Sequence, residues 1–193
     1  MEKTFNDITI GTIMQIQNLD TTTLEGQKRL CELIYGVNVD SMPMDEFLQM
    51  IGTLPEFFNG WKKEFKPVVE VQGKEFVAKT MEQFTTKEFI DFDSLSDKAS
   101  EQAPLLLSLM YSNEELDKLE YPENVKAKAQ ILVDMPAGVA LGALDFFVTK
   151  LLGFVNNTVA SSPAAKEALM KDPKMRAAME MMTRFLSQDG GGN

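Results

Sequence analysis

Histidine is absent from all 193 residues of the chain. With it go the commonest general base, the commonest zinc ligand and every nucleophile triad that needs an imidazole. Carboxylate-only catalysis survives that exclusion, but it needs positioned pairs that spacing alone does not supply. Cysteine is nearly as scarce. Cys31 stands alone, so no intramolecular disulfide can form, and its place in the apolar run Leu30–Ile34 suits a small core residue better than a reactive thiol. Positive charge is short as well: 19 Lys and Arg face 29 Asp and Glu, for a net charge of −10. That argues against a nucleic-acid backbone as the main partner, which would need clustered cations. Lys62-Lys63 is too small a patch to change this. The acid surplus fits a solvated surface or a basic partner. Residues 1–11 lack the basic start and apolar stretch of a signal peptide, so a cytoplasmic protein is expected.

What the chain does have is apolar residues in ordinary globular proportion. Hydrophobic residues make up 44% and charged ones 25%, which excludes wholesale disorder, and the length suffices for one well-buried domain or two small lobes. The longest apolar stretch, Met135–Ala160, reads as a central helix. Pro136 suits its first turn and Asp134 can cap it. Leu141, Leu144, Val148, Leu151, Leu152 and Val155 recur at helical spacing. A membrane span is the alternative, but Asp145 and Lys150 lie inside the stretch, and each would cost roughly 3 kcal/mol at a helix centre in lipid. Gly138 and Gly142, one turn apart among alanines, would let another backbone come close.

Other elements follow from periodicity and breakers. Phe5–Ile8 is expected as a short strand or extended arm, and Thr9 as the cap of a helix over Ile10–Leu19. A second helix should run from Leu24 to Tyr35 with Gly36 as its stop. A third should span Met44–Leu54 and end at Pro55, with a further amphipathic piece over Glu56–Phe65 that holds Trp61. Val68, Val69 and Val71 with Phe76 and Val77 flank Gln72-Gly73-Lys74, a β-hairpin signal. A lone hairpin is marginal, so it should lie on the helices or pair with Phe5–Ile8. The segment Met81–Leu95 can be laid on Phe5–Leu19. This is either a second copy of a strand–cap–helix unit or ordinary amphipathic patterning that happens to align. Helices are also expected over Ala99–Tyr111 and from Tyr121-Pro122 to about Val133, then over Ala164–Met170 and Lys174–Ser187. The last carries Met175, Met179, Met182, Phe185 and Leu186 along one stripe. That stripe suits core packing, or an adaptable surface for a hydrophobic partner segment.

No motif carries specific chemistry. Gly190–Gly192 lacks the strand, lysine and helix of a phosphate loop. Asp91 and Asp93 would point about 200° apart on a helix. Asp45-Glu46 belongs in a helix's first turn, and Glu114, Glu115 and Asp117 lack the spacing of a calcium loop. Residue chemistry alone reaches only an acidic, mostly helical domain with no enzyme signature, no cofactor and no metal site.

The arrangement of segments resembles the tail assembly chaperones of long-tailed bacteriophages, small acidic proteins encoded just ahead of the tape measure protein. The resemblance rests on an N-D-I-T-I-G segment (Asn6–Gly11), a P-M-D-E-F helix start (Pro43–Phe47) and an x-G-K-x-F turn (Gln72–Phe76). A T-x-x-x-F-I-D helix (Thr85–Asp91) and an M-P-x-x-x-A-L-G-x-x-x-F-F segment (Met135–Phe147) complete it. It covers roughly residues 4–155, and its motifs are patterns of residue class. The resemblance implies a non-enzymatic chaperone in the host cytoplasm that binds the hydrophobic helical tape measure protein, or a similar helical segment, before the tail tube polymerises. Neither nucleic acid nor membrane is implied as a partner. It also implies a longer product made by a one-base backward frameshift, and Gly191-Gly192-Asn193 can be encoded by a slippery heptamer. Met175, Met179, Met182, Phe185 and Leu186 are the candidate partner-binding residues, together with the exposed side of the central helix. The competing readings are a virion structural or packaged protein (connector or cargo) and a cellular helical adaptor domain.

The expected architecture is therefore mainly α: a helical bundle around one long apolar helix, with a small β-hairpin. It forms a single domain over 1–187, with lobes at 1–65 and 66–160, a helical arm at 162–187 and a flexible tail at 188–193.

Overall fold

A computed structural model describes residues 5–59, 62–96 and 98–161. Among them are seven α-helices and one three-stranded antiparallel sheet. The first two helices follow their local signals. Thr9 Oγ1 accepts the Thr12 amide at 3.2 Å and opens α1 (Ile10–Gln17). Thr23 does the same for Gly26 at 3.0 Å and opens α2 (Leu24–Tyr35), which Gly36 closes in the left-handed region at φ 68°.

Pro55 does not end the third helix. Helix α3 runs from Met44 to Asn59 with Pro55 inside it. A proline in a helix interior loses a backbone hydrogen bond and crowds the preceding turn, at a cost of about 3 kcal/mol or more. Continuing the helix buries Phe57 and packs Phe57 and Phe58 against Phe5, with ring centroids 6.1 and 6.4 Å away. Burying one such ring returns roughly 1.5–3 kcal/mol, so Phe57 and Phe58 together offset the proline and the helix continues. The amphipathic piece expected over Glu56–Phe65 is thus partly the last turn of α3, and residues 62–66 follow as irregular chain. Trp61 lies outside the described residues.

The hairpin forms as expected from β1 (Val68–Val71) and β2 (Lys74–Ala78), with Val71 opposite Lys74. Its two-residue turn holds Gln72 at φ 52° and Gly73 at φ 71°, the pair of positive φ angles that suits the strand twist. Its third strand is not Phe5–Ile8. That segment begins with a 3-10 turn, Phe5–Asp7, and then joins the start of the last helix: Ile10 N donates to Met135 O at 2.9 Å and Ala137 N to Ile8 O at 2.8 Å. The partner of β2 is instead β3 (Tyr111–Ser112). Burial of the Tyr111 ring, whose hydroxyl donates to Lys66 O at 2.7 Å, holds β3 extended there.

After the hairpin come α4 (Thr86–Ser96), α5 (Ala99–Met110), α6 (Glu123–Leu132) and the 25-residue α7 (Ala137–Ser161). Asp134 does not serve as the cap of α7; its carboxylate accepts a hydrogen bond from the Gln72 amide. The helix that meets the most neighbours is α5, which packs against α1, α4, α6 and α7. Ala103, Leu106, Leu107, Leu109 and Met110 are all buried. Helix α7 contributes Ala137, Val139, Ala140, Ala143 and Phe147 to the interior.

The similarity of Phe5–Leu19 to Met81–Leu95 extends well beyond those residues. A 3-10 turn, two helices, a second 3-10 turn and a third helix occur in that order over Phe5–Asn59 and again over Met81–Leu132, where β3 intervenes before the second 3-10 turn. Thr85 caps the second copy as Thr9 caps the first, accepting the Glu88 amide at 3.2 Å. The unit begins with a turn, however, not the strand expected. Matching positions are buried in both: Leu30 and Leu106, Cys31 and Leu107, Ile34 and Met110, Phe47 and Val125, Leu54 and Leu132, Phe57 and Met135. Two apolar clusters follow the two modules except that Ile10 of α1 joins the second, and Ile13 and Leu141 pack against both.

Candidate binding surface

The charged groups inside the fold are committed to one another. Lys128 of α6 is fully buried, and its ammonium donates to Asp117 Oδ1 at 2.7 Å and to Tyr111 O at 3.0 Å. Burial pushes its pKa down, and the Asp117 carboxylate opposes that. Lys79 and Glu88 meet at 2.6 Å with both side chains nearly buried. Burial pushes the Glu88 carboxyl up, but the Lys79 ammonium and Thr85 groups outweigh it and leave the carboxyl below its ordinary range. Burial alone raises the Tyr111 hydroxyl to about 12. Among the described residues, every buried side-chain nitrogen and oxygen has a hydrogen-bond partner. These are structural anchors: Lys128 ties α6 to β3 and Asp117, and Lys79 ties the end of the hairpin to α4.

The carboxylates singled out by sequence are separated. Asp91 accepts a hydrogen bond from the Tyr121 hydroxyl. Glu115 pairs with Lys74 at 2.6 Å while Asp117 turns inward to Lys128. Asp45 and Glu46 occupy the first turn of α3. Among the described residues, no group of three or more His, Cys, Asp or Glu is placed to hold a metal ion, and no helix is long and apolar enough to cross a membrane. Cys31 is fully buried, and burial pushes its thiol pKa up.

Met175, Met179, Met182, Phe185 and Leu186 lie outside the described residues. The exposed side of the 137–161 helix, a further candidate, is covered over the turns around Gly142. The segment 62–66 crosses it, with Phe65 stacked on Phe146 at 3.8 Å and Lys63 3.8 Å from Asp145.

The surface that sequence reasoning missed is on α3. This helix has more apolar residues than one face can hold. Phe47, Leu54 and Phe57 point inward and are buried, while Met44 is 61% exposed and Leu48 57% exposed. Gly52 and Pro55 are also exposed on α3, and Ile51 is half-buried between. Met44, Leu48 and Gly52 follow one another at one-turn spacing along a single face. The only ionisable side chains of α3 are acidic: Asp45, Glu46 and Glu56. The available signal was the surplus itself, since a helix with one buried face needs apolar residues on only that face.

No family model, curated protein or solved structure matches the chain.

Proposed function

We propose that this protein is a non-enzymatic assembly chaperone of a bacteriophage tail, working in the host cytoplasm and binding hydrophobic helical segments of the tape measure protein before the tail tube polymerises. The observation that carries the reading is the outward display of Met44 and Leu48 on an acidic helix, in a fold whose described buried polar groups are already satisfied internally. Exposed apolar side chains in a line recognise the apolar stripe of another helix, and a net charge of −10 would keep a complex with a sticky client dispersed. The family resemblance adds a second strand of support. Its first and last motifs touch: Ile10 N donates to Met135 O at 2.9 Å and Ala137 N to Ile8 O at 2.8 Å. Such motifs would be retained to build the scaffold and leave client recognition to other surfaces.

Co-expression with the long helical protein encoded downstream tests this reading. A soluble complex with that protein, together with absence of this chain from purified particles, is the expected result. Failure to bind it or to raise its soluble fraction would overturn the proposal. Stoichiometric presence in particles would favour a virion component instead. The nucleotide sequence through Gly191-Gly192-Asn193 offers an independent check, since a slippery heptamer followed by an overlapping frame is expected there.

A further inference from the structure

We infer that the outer face of α3, lined by Met44, Leu48, Gly52 and Pro55, is a docking surface for an amphipathic helix whose apolar stripe is flanked by Lys or Arg. This rests on the reading of the chain as a binder of helical protein segments and gives that reading a site and a partner chemistry.

The fold itself does not require this face to be apolar. Aligning the buried Phe47 and Leu54 of α3 with the buried Val125 and Leu132 of α6, the corresponding helix of the second module, sets Lys126 at the position of Leu48 and Gln130 at that of Gly52. Both are exposed. The second module therefore folds with polar side chains where the first displays a leucine and a glycine.

Gly52 points the same way. A glycine inside a helix lowers stability relative to almost any other residue but proline. Here a Cβ would meet nothing within 4 Å, so no neighbour among the described residues calls for it. A partner backbone approaching the helix closely would.

Charge selects the partner. Asp45 flanks the stripe at one end and Glu56 at the other, with no Lys or Arg in the helix. A second copy packed antiparallel would set Asp45 beside its Glu56, and a parallel one would set like residues together. Either arrangement opposes acid to acid. A helix bearing Lys or Arg beside its apolar stripe satisfies both the stripe and its rim.

The test uses the full chain and a labelled Leu/Lys amphipathic peptide of roughly 18 residues, long enough to form a helix, with a Leu/Glu peptide of the same pattern as its counterpart. Binding is followed by fluorescence anisotropy. The Leu/Lys peptide should bind, and the Leu/Glu peptide should bind at least about tenfold more weakly. The double variant Met44→Glu, Leu48→Lys leaves net charge unchanged and should weaken Leu/Lys binding by about tenfold or more. Gly52→Gln should weaken it severalfold while raising the melting temperature, a combination that loss of fold cannot produce. Equal binding of both peptides, or wild-type affinity in both variants, would overturn the inference. So would concentration-dependent self-association abolished by Leu48→Lys, which would make a second copy the occupant. A double variant that still keeps the downstream helical protein soluble would sink the α3 assignment alone. A wild-type chain that neither binds the peptide nor keeps that protein soluble would sink the proposed function with it.

Discussion

The backbone of Glu64 lies directly on Gly142. A Cβ added at Gly142 would stand 2.5 Å from the Glu64 carbonyl carbon and 2.6 Å from its nitrogen and oxygen. One turn earlier, Gly138 O accepts the Glu64 amide at 3.1 Å. An irregular segment is thereby fixed across α7 by one hydrogen bond and one close approach that only glycine permits. Gly142→Leu should therefore cost about 1–3 kcal/mol through overpacking. The midpoint of urea denaturation measures it, and an unchanged midpoint would show that residues 62–66 do not rest there.

Lys128 should be the most sensitive charged position. Its ammonium serves both a backbone carbonyl and Asp117, which keeps 31% of its side chain exposed. Lys128→Ala strands the carbonyl of Tyr111 and partly strands the carboxylate. Breaking buried pairs typically costs 3–5 kcal/mol, and the partial solvation of Asp117 places this one near about 3 kcal/mol. Equilibrium unfolding reads it directly, and a loss well under about 1 kcal/mol would show that the pair is superfluous.

Glu88 should contribute a distinct acid-side slope to stability. Its carboxyl lies below its ordinary value of 4.5 in the folded chain, so the native state favours the ionised form. The contribution is fully present above 4.5 and fades as pH falls through the lowered folded value. Unfolding free energies measured across that window should fall more steeply for the wild-type chain than for Glu88→Gln. Parallel curves would remove Glu88 from the account.

Cys31 should report on unfolding. Its thiol is fully buried and its pKa is raised, so both access and thiolate fraction oppose reaction. Modification by an aromatic disulfide reagent should be slow in buffer and immediate in denaturant. Rapid labelling of the native chain would mean that the first module opens readily.

Local chemistry made much of this fold legible. Thr9 and Thr23 satisfy amides three residues ahead, Gly36 takes up a left-handed angle and Gly73 turns the hairpin; each effect spans a few residues, so residue type and spacing suffice. The candidate surface was half legible. The apolar surplus of α3 is visible in the letters, but which of Phe47 and Leu48 turns inward depends on what lies beneath, and Phe5 and Ala137 join that cluster from distant parts of the chain.

The alignment of the two segments shows the same division. A short match of Phe5–Leu19 to Met81–Leu95 is visible in residue class, whereas Cys31 opposite Leu107 or Phe57 opposite Met135 share nothing but burial.

By itself, then, the sequence determined the Thr9 and Thr23 caps, the hairpin turn, the acidic character and the freedom of Gly138 and Gly142 to receive a neighbour. Tertiary structure decided which neighbour that was, carried α3 through Pro55, gave β2 its partner in Tyr111–Ser112 and placed α5 among four other helices. It also drew Lys128 into the interior. These outcomes depend on groups far apart in the chain, whose shared burial offsets penalties that each local segment would incur alone.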